Sequence, residues 1–352
     1  MPAANRSRGD DGSPFADGTN PRWWFTAPGD MLIRTTGRLR LEAMVKFDIG
    51  LLNSVHVAAL GRQAWEEAIT PAQRVTALQL ADELGYWKVL VPEHLVVPNE
   101  HLERSGDHYP HAAVGAAFAA GVTTRLRVGS NVTILPLQHP IAQAKMWATI
   151  DWLSGGRAEL MVGVGWCAGE YEMLGVPFAQ RGALCDEYVA AIVELWTSDR
   201  PTFHGRFVDF TEVGFAPKPI QQPGVPIWFG GDADAVLRRV ARWGSGWSPF
   251  QTPPDQIPAK LDWIRSQPDY HGGPIDIVYS MMMLALTPDH QPKNDPDAQG
   301  LYAAGPLIDQ IGRLQQLGVT EVRLTTPVLT DFEAYLDWLR WAAAEVFPHV
   351  DG

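Results

Sequence analysis

The stretch ELMVGVGWCAG, Glu159–Gly169, is an apolar run that breaks into glycines, and two folds make use of such a break. Read as Gly163-x-Gly165-x-x-Ala168, it fits a relaxed dinucleotide fingerprint, in which glycines let the backbone approach a pyrophosphate at a helix N-terminus. Read as the end of a barrel strand, it places bare backbone at a catalytic mouth. The surroundings decide between them. In a nucleotide-binding βαβ unit the fingerprint follows the first strand, opens a helix at once and has an acid about 20 residues further on. Here three β-prone segments come first, Pro177 interrupts the chain before a full helix, and Asp186 falls inside a helical pattern.

Counting outward from this stretch gives the same answer. The strand candidates are Val45–Leu51, Trp87–Pro92, Leu126–Leu135, Glu159–Val164, Pro226–Gly230, Gly246–Phe250, Ile275–Leu286 and Glu321–Thr325. Between them lie segments whose apolar residues recur at three and four, with helix punctuation. Thr70-Pro71 reads as an N-cap followed by proline at the first helical position, and Gly85 stops that helix. Thr330 and Glu333 read as the capping box of the last helix. An unbroken eightfold βα alternation over about 300 residues predicts an α/β (βα)8 TIM-type barrel in preference to a doubly wound sheet. The strands read as near-continuously apolar, as expected when both faces are covered. Phe203–Val213 alternates around Gly205 and is expected to be an inserted hairpin decorating the barrel mouth.

Residues 1–43, rich in Gly, Pro, Asp and Asn, are expected to be a disordered extension, leaving residues 44–352 as the barrel. A net charge of −12, with no basic stripe to offset it, argues against nucleic acid and anionic membranes and for a small-molecule partner. No apolar run reaches the roughly 18 residues of a membrane span. Cys167 and Cys185 are the only cysteines, too few for a disulfide framework or a Cys-based metal site, so a reducing cytoplasm is expected.

In a barrel of this kind the chemistry sits at the C-terminal ends of the strands. Glu93 and His94 fall just past the second strand, where an imidazole can donate or accept a proton near neutral pH. His101, His108 and His111 follow at irregular, loop-like spacing, and no metal site is expected. Asn131, Val132 and Thr133 interrupt the third strand with small and polar residues, the mark of a bulge supporting a ligand. Gly163, Val164, Gly165 and Trp166 end the fourth strand, where the glycines equally fit a tight turn needing positive φ. Gly230 and Gly231 precede a helix start, a place where backbone N–H groups hold phosphate, although Asp232 and Asp234 in the first turn repel an anion and fit the role of dipole caps. Ser248 lies on the following strand.

Three ordered stretches, LSGGRAELMVGVGW (Leu153–Trp166), GVPFAQRGALCDEYVAAIVELW (Gly175–Trp196) and PKPIQQPGVPIWFGGDADAVLRRVARWGSGW (Pro217–Trp247), resemble the bacterial luciferase-like monooxygenase superfamily, and more narrowly its oxidoreductases that use the deazaflavin coenzyme F420. The resemblance implies a flavin or deazaflavin across the C-terminal mouth. It implies an acid–His pair at Glu93-His94, with Glu in place of the more usual Asp, and a non-prolyl cis peptide at Asn131-Val132 behind the central ring. Gly163, Val164, Gly165 and Trp166 match the segment beside the cofactor, and Trp166 stands where some members place a catalytic acid. Gly230, Gly231 and Ser248 match positions near the phosphate and ribityl chain. The activity implied is hydride transfer between F420 and an organic substrate in a homodimer. The alternatives are an FMN-dependent monooxygenase and a non-catalytic flavin-binding barrel.

Overall fold

A computed structural model describes residues 45–55, 63–285 and 302–350. The expectation for residues 1–43 lies outside them. The strands are β1 (Lys46–Gly50), β2 (Lys88–Val91), β3 (Arg127–Ser130), β4 (Thr133–Ile134), β5 (Ala158–Gly163), β6 (Phe203–His204), β7 (Asp209–Phe210), β8 (Ile227–Gly230), β9 (Gly246–Ser248), β10 (Asp276–Ser280) and β11 (Glu321–Arg323). All but β6 and β7 are parallel, in the order β1, β2, β3, β5, β8, β9, β10, β11, and β11 pairs back onto β1. β4 continues the third position, pairing Thr133 with Val162 and Ile134 with Gly163. A doubly wound sheet has two free edges; the pairings of β3 with β5 and β11 with β1 leave none, so the sheet is the predicted closed eight-position barrel.

Local signals set the helix ends. Thr70 and Gln73 cap each other reciprocally at the start of the helix Pro71–Leu84, and Gly85 closes it at φ 86°. The last helix, Phe332–Glu345, is capped by Asp331, whose carboxylate accepts from the Ala334 N–H, and not by Thr330, whose hydroxyl donates to Asp331 instead. The seventh strand ends at Ser280, not Leu286: the run continues as a helical turn over Met282–Ala285. A continuous apolar run does not by itself separate a strand from a buried helical turn. The predicted hairpin is present as β6 and β7, but it is seated on the helix Arg181–Thr197, not over the mouth. Glu187 of that helix accepts from the N–H groups of Arg206, Phe207 and Val208 at its tip.

Outward-facing strand residues such as Phe47, Ile49, Val89, Val128, Leu160 and Val322 join the helices in the main apolar core. The barrel interior differs from the apolar reading of the strands. Its middle holds Leu90, Met161, Trp228 and Val278. Its N-terminal half holds Lys88, fully buried, whose ammonium bridges Glu159 and Glu321 (2.6 Å) and lies 4.1 Å above the Trp228 ring. Arg127 pairs with Glu159 and Lys46 with Glu321. Burial pulls the Lys88 ammonium down, but the charges of Glu159 and Glu321 outweigh it and hold the group above its ordinary value. Pairs of this kind cost desolvation and gain Coulomb attraction, so each member holds the others in place.

Candidate active site

Glu93 and His94 follow β2 directly but take different partners. Glu93 is buried; one carboxylate oxygen accepts from the Ala112 N–H (3.0 Å) that opens the helix Ala112–Val122. The other accepts from the Ile134 N–H (3.2 Å) and the Gln138 amide (2.9 Å). Burial raises its carboxyl above the usual range against the pull of these donors. His94 is held from the other side. Its Nδ1 lies 2.9 Å from a carboxylate oxygen of Glu170, whose second oxygen accepts from the N–H groups of Leu95 (2.6 Å) and Val96 (3.3 Å). An ionised carboxylate only accepts, so Nδ1 carries the hydrogen and Nε2 is the nitrogen left for chemistry. Tyr109 and Trp166 fix the plane of the imidazole, each edge-on, with ring centres 4.8 and 5.8 Å away. Burial and then the Glu170 charge push the Tyr109 phenol up to about 12, so it is a neutral wall.

The third-strand interruption is a cis peptide between Asn131 and Val132, at the expected place. Asn131 is tied to β2 through its N–H and the Val91 carbonyl (2.7 Å). Val132 packs on the inner residues Leu90, Met161, Trp228 and Val278, and the buried Thr133 begins β4. Gly163 and Gly230 face Val132 from the ends of β5 and β8. Gly165 is the glycine whose backbone needs the freedom: its φ is 67°, in the left-handed region. Beyond it, Trp166 is 42% exposed, with the Arg104 guanidinium 4.9 Å above its ring and His101 edge-on at 5.0 Å. Val164 sits between, its carbonyl accepting from Tyr171.

At the next two strand ends, Gly230 registers with Ser248, and the Gly231 N–H donates to the Ser248 carbonyl (2.9 Å). Asp232 does not cap the helix Asp234–Trp243, whose N-cap is Ala233. Its carboxylate instead accepts from the N–H groups of Phe250, Gln251 and Thr252 and from the Thr252 hydroxyl (2.6 Å). This cluster of donors, which would suit an anion, is therefore already filled by one of the chain's own carboxylates. Polar capacity remains elsewhere. The hydroxyls of Thr133, Ser280 and Thr325 are shielded and have no hydrogen-bond partner among the described residues. Ser280 ends β10 and Thr325 follows β11, both in phase with the inward-facing Val278. The inward-facing hydroxyls of Ser280 and Thr325, an apolar floor and an anchored imidazole fit a flat heteroaromatic ring with polar edges, whereas Thr133 registers with the outward-facing Val162.

Every residue expected at the site thus falls at one end of the barrel, in a band from His94 through Trp166 and Val132 to Ser248. Glu170 and Tyr109 were not anticipated. The signal for Glu170 was a carboxylate four residues beyond Trp166 in the first turn of the short helix Ala168–Met173. Of the tryptophans, Trp228 and Trp247 are core and Trp166 faces the mouth. A cavity of about 410 Å³ lies at the opposite end, lined by strand starts including Lys46, Arg127, Glu159, Asp276 and Glu321. Its charges are spent on one another, and that end of a barrel serves stability, so the C-terminal mouth is the better site.

The chain matches the luciferase-like monooxygenase family over residues 47–295. It is 32% identical over 298 residues to an uncharacterised protein of Mycobacterium tuberculosis, covering 78% of this chain and 94% of the relative. It is 30% identical over 179 residues to an FMNH2-dependent dimethylsulfone monooxygenase of Pseudomonas putida, covering 50% of this chain and 49% of that one. The fold superposes on monooxygenase RslO1 from Streptomyces bottropensis with a TM-score of 0.70 at 22% identity, covering 86% and 99% of the two chains. A coenzyme F420-dependent tetrahydromethanopterin reductase from Methanopyrus kandleri gives 0.64 at 17% identity, covering 88% and 100%. With the match spanning most of the barrel, the chain belongs to the luciferase-like monooxygenase family.

Proposed function

We propose that this chain is an oxidoreductase that moves a hydride between coenzyme F420 and an organic substrate at the C-terminal mouth of the barrel. The observation that carries the proposal is the imidazole of His94, held through Nδ1 by Glu170 so that Nε2 is the nitrogen left for proton transfer. Bound there, a deazaflavin supplies two-electron hydride transfer. The chain supplies the rest. Val132, backed by Gly163 and Gly230, forms the floor, Ser280 and Thr325 offer hydroxyls, and Gly165 brings the backbone round to Trp166. Gly231 and Ser248 border the sugar side, and His94 gives or takes the proton that accompanies the hydride. Glu93 acts through the fold, by fixing the start of a helix and of β4 below the imidazole.

A second reading is an FMN-dependent monooxygenase, favoured by the 30% identity to the dimethylsulfone enzyme. Fluorescence titration of the full chain with oxidised F420 and with FMN separates the two, with oxygen uptake as the second readout. F420 binding with no oxygen uptake is the expected result. FMN binding with oxygen consumption moves the assignment to the second reading, and binding of neither overturns both. We also place the protein in a reducing compartment, in line with its two free, buried cysteines, and pair it as a homodimer. The pairing is supported by Val114 (65% exposed) on the helix Ala112–Val122 and Leu153 (70%) on the adjacent helix Pro140–Ser154.

A further inference from the structure

We infer that Gly163 and Gly230 are positioning residues, glycines in order to seat the side chain of Val132 between them and so to set where Val132 stands behind the ring expected in the mouth. A Cβ on Gly163 would stand 2.6 Å from Val132 Cγ2, and a Cβ on Gly230 would stand 2.5 Å from Val132 Cγ1. Carbon atoms in contact keep about 3.5–4.0 Å apart, so each methyl of Val132 fills the space one glycine leaves open. Backbone conformation does not account for these two glycines. Unlike Gly165 and Gly231, neither has a positive φ, so what they provide is room and not conformational freedom.

Val132 has no easy way out of the seat. Below it Leu90, Met161, Trp228 and Val278 close the barrel interior. Its branched Cβ restricts χ1, and its two methyls already point one toward each glycine. The upper side of the half-buried Val132 is left to the mouth. Gly163 and Gly230, expected from the sequence as direct cofactor contacts, become positioning residues that act through Val132. The ligand half of this inference rests on the cofactor site proposed above; the seat itself does not.

The test uses the full chain and five variants: Gly163→Ala, Gly230→Ala, Val132→Ala, and each glycine substitution combined with Val132→Ala. Dissociation constants for F420 and FMN are read by fluorescence titration, and thermal midpoints by circular dichroism. Each glycine substitution alone is expected to weaken binding of whichever cofactor the parent binds by roughly tenfold or more, through overpacking. Each double variant is expected to return to within about threefold of Val132→Ala alone, because the displaced methyl is gone. A double variant no better than its single glycine parent overturns the inference, as does a glycine variant that binds like the parent. A lowered midpoint with an unchanged dissociation constant overturns the positioning half. If the parent binds neither cofactor, the proposed function fails on its own, and the midpoints still judge the seat: recovery in the doubles upholds it, and no recovery overturns it.

Discussion

His94 and Glu170 are 76 positions apart in the chain and 2.9 Å apart in the fold. Glu170 has no exposed surface and spends its second oxygen on the backbone of the residues that follow His94, so it orients the imidazole and fixes the loop that carries it. Removing the imidazole and removing its anchor should therefore differ in degree and agree in kind. We expect His94→Ala to lower kcat by about 10² to 10⁴ with cofactor affinity little changed. Glu170→Gln, nearly the same shape, should lower kcat on the order of tenfold or more, also with little change in cofactor affinity. Steady-state turnover alongside equilibrium cofactor binding checks both, and a Glu170→Gln variant with parental kcat would remove the orienting role.

Glu93 should behave in the opposite way. Its carboxylate satisfies the N–H groups of Ala112 and Ile134 in buried surroundings and the half-buried Gln138 amide. Glu93→Ala strands these donors and should destabilise the fold by about 2–4 kcal/mol, with turnover per folded molecule reduced less than in His94→Ala. Urea denaturation gives the first quantity and active-site-normalised kinetics the second.

Asp48 sits inside the barrel between Lys88 and Arg323, fully buried, with the Glu321 carboxylate beside it. Burial first, and then the Glu321 charge, hold its carboxyl well above the usual range. A raised native value means the folded state binds the proton more tightly than the unfolded chain does. Stability from this group is therefore present at pH values below the unfolded carboxyl's titration near 4 and declines as pH rises, by at most about 1.4 kcal/mol per pH unit. Asp48→Asn removes that decline. The midpoint difference between variant and parent should grow in the variant's favour as pH rises above about 5, and a constant or shrinking difference would count against a neutral Asp48.

Asp232 closes the loop after β9 with four hydrogen bonds to Phe250, Gln251 and Thr252. Asp232→Ala should cost about 1–3 kcal/mol. Its clearest sign should be faster hydrogen exchange at the amides of residues 250–252, with amides of β5 unaffected.

Much of this protein was legible in its sequence because the signals involved are local. Thr70, Pro71 and Gly85 mark a helix whatever surrounds it, and the glycine break after Val162 marks a strand end. The break at Asn131-Val132 and the placement of His94 were likewise readable from a few neighbouring residues. What misled was of two kinds. Thr330 and Asp331 are both competent caps one position apart, and the backbone bend, not composition, selected Asp331. Asp232 looked like a cap for its own helix because it lies next to the helix start, yet the donors of the loop after β9 reach it first.

The sequence by itself determined the eight-position alternation, the end of the barrel that carries the candidate site and the residue types gathered there, since periodicity, caps and glycine breaks are properties of short windows. Only the tertiary structure decided that Glu170 reaches His94, that Glu93 turns away from it, that Val132 lies between Gly163 and Gly230, and that Lys88 is neutralised by Glu159 and Glu321. Those pairings join residues from 31 positions apart, Val132 with Gly163, to 233, Lys88 with Glu321. They form when the barrel closes, because closure alone fixes which side of each strand end faces inward and which distant side chain stands opposite it.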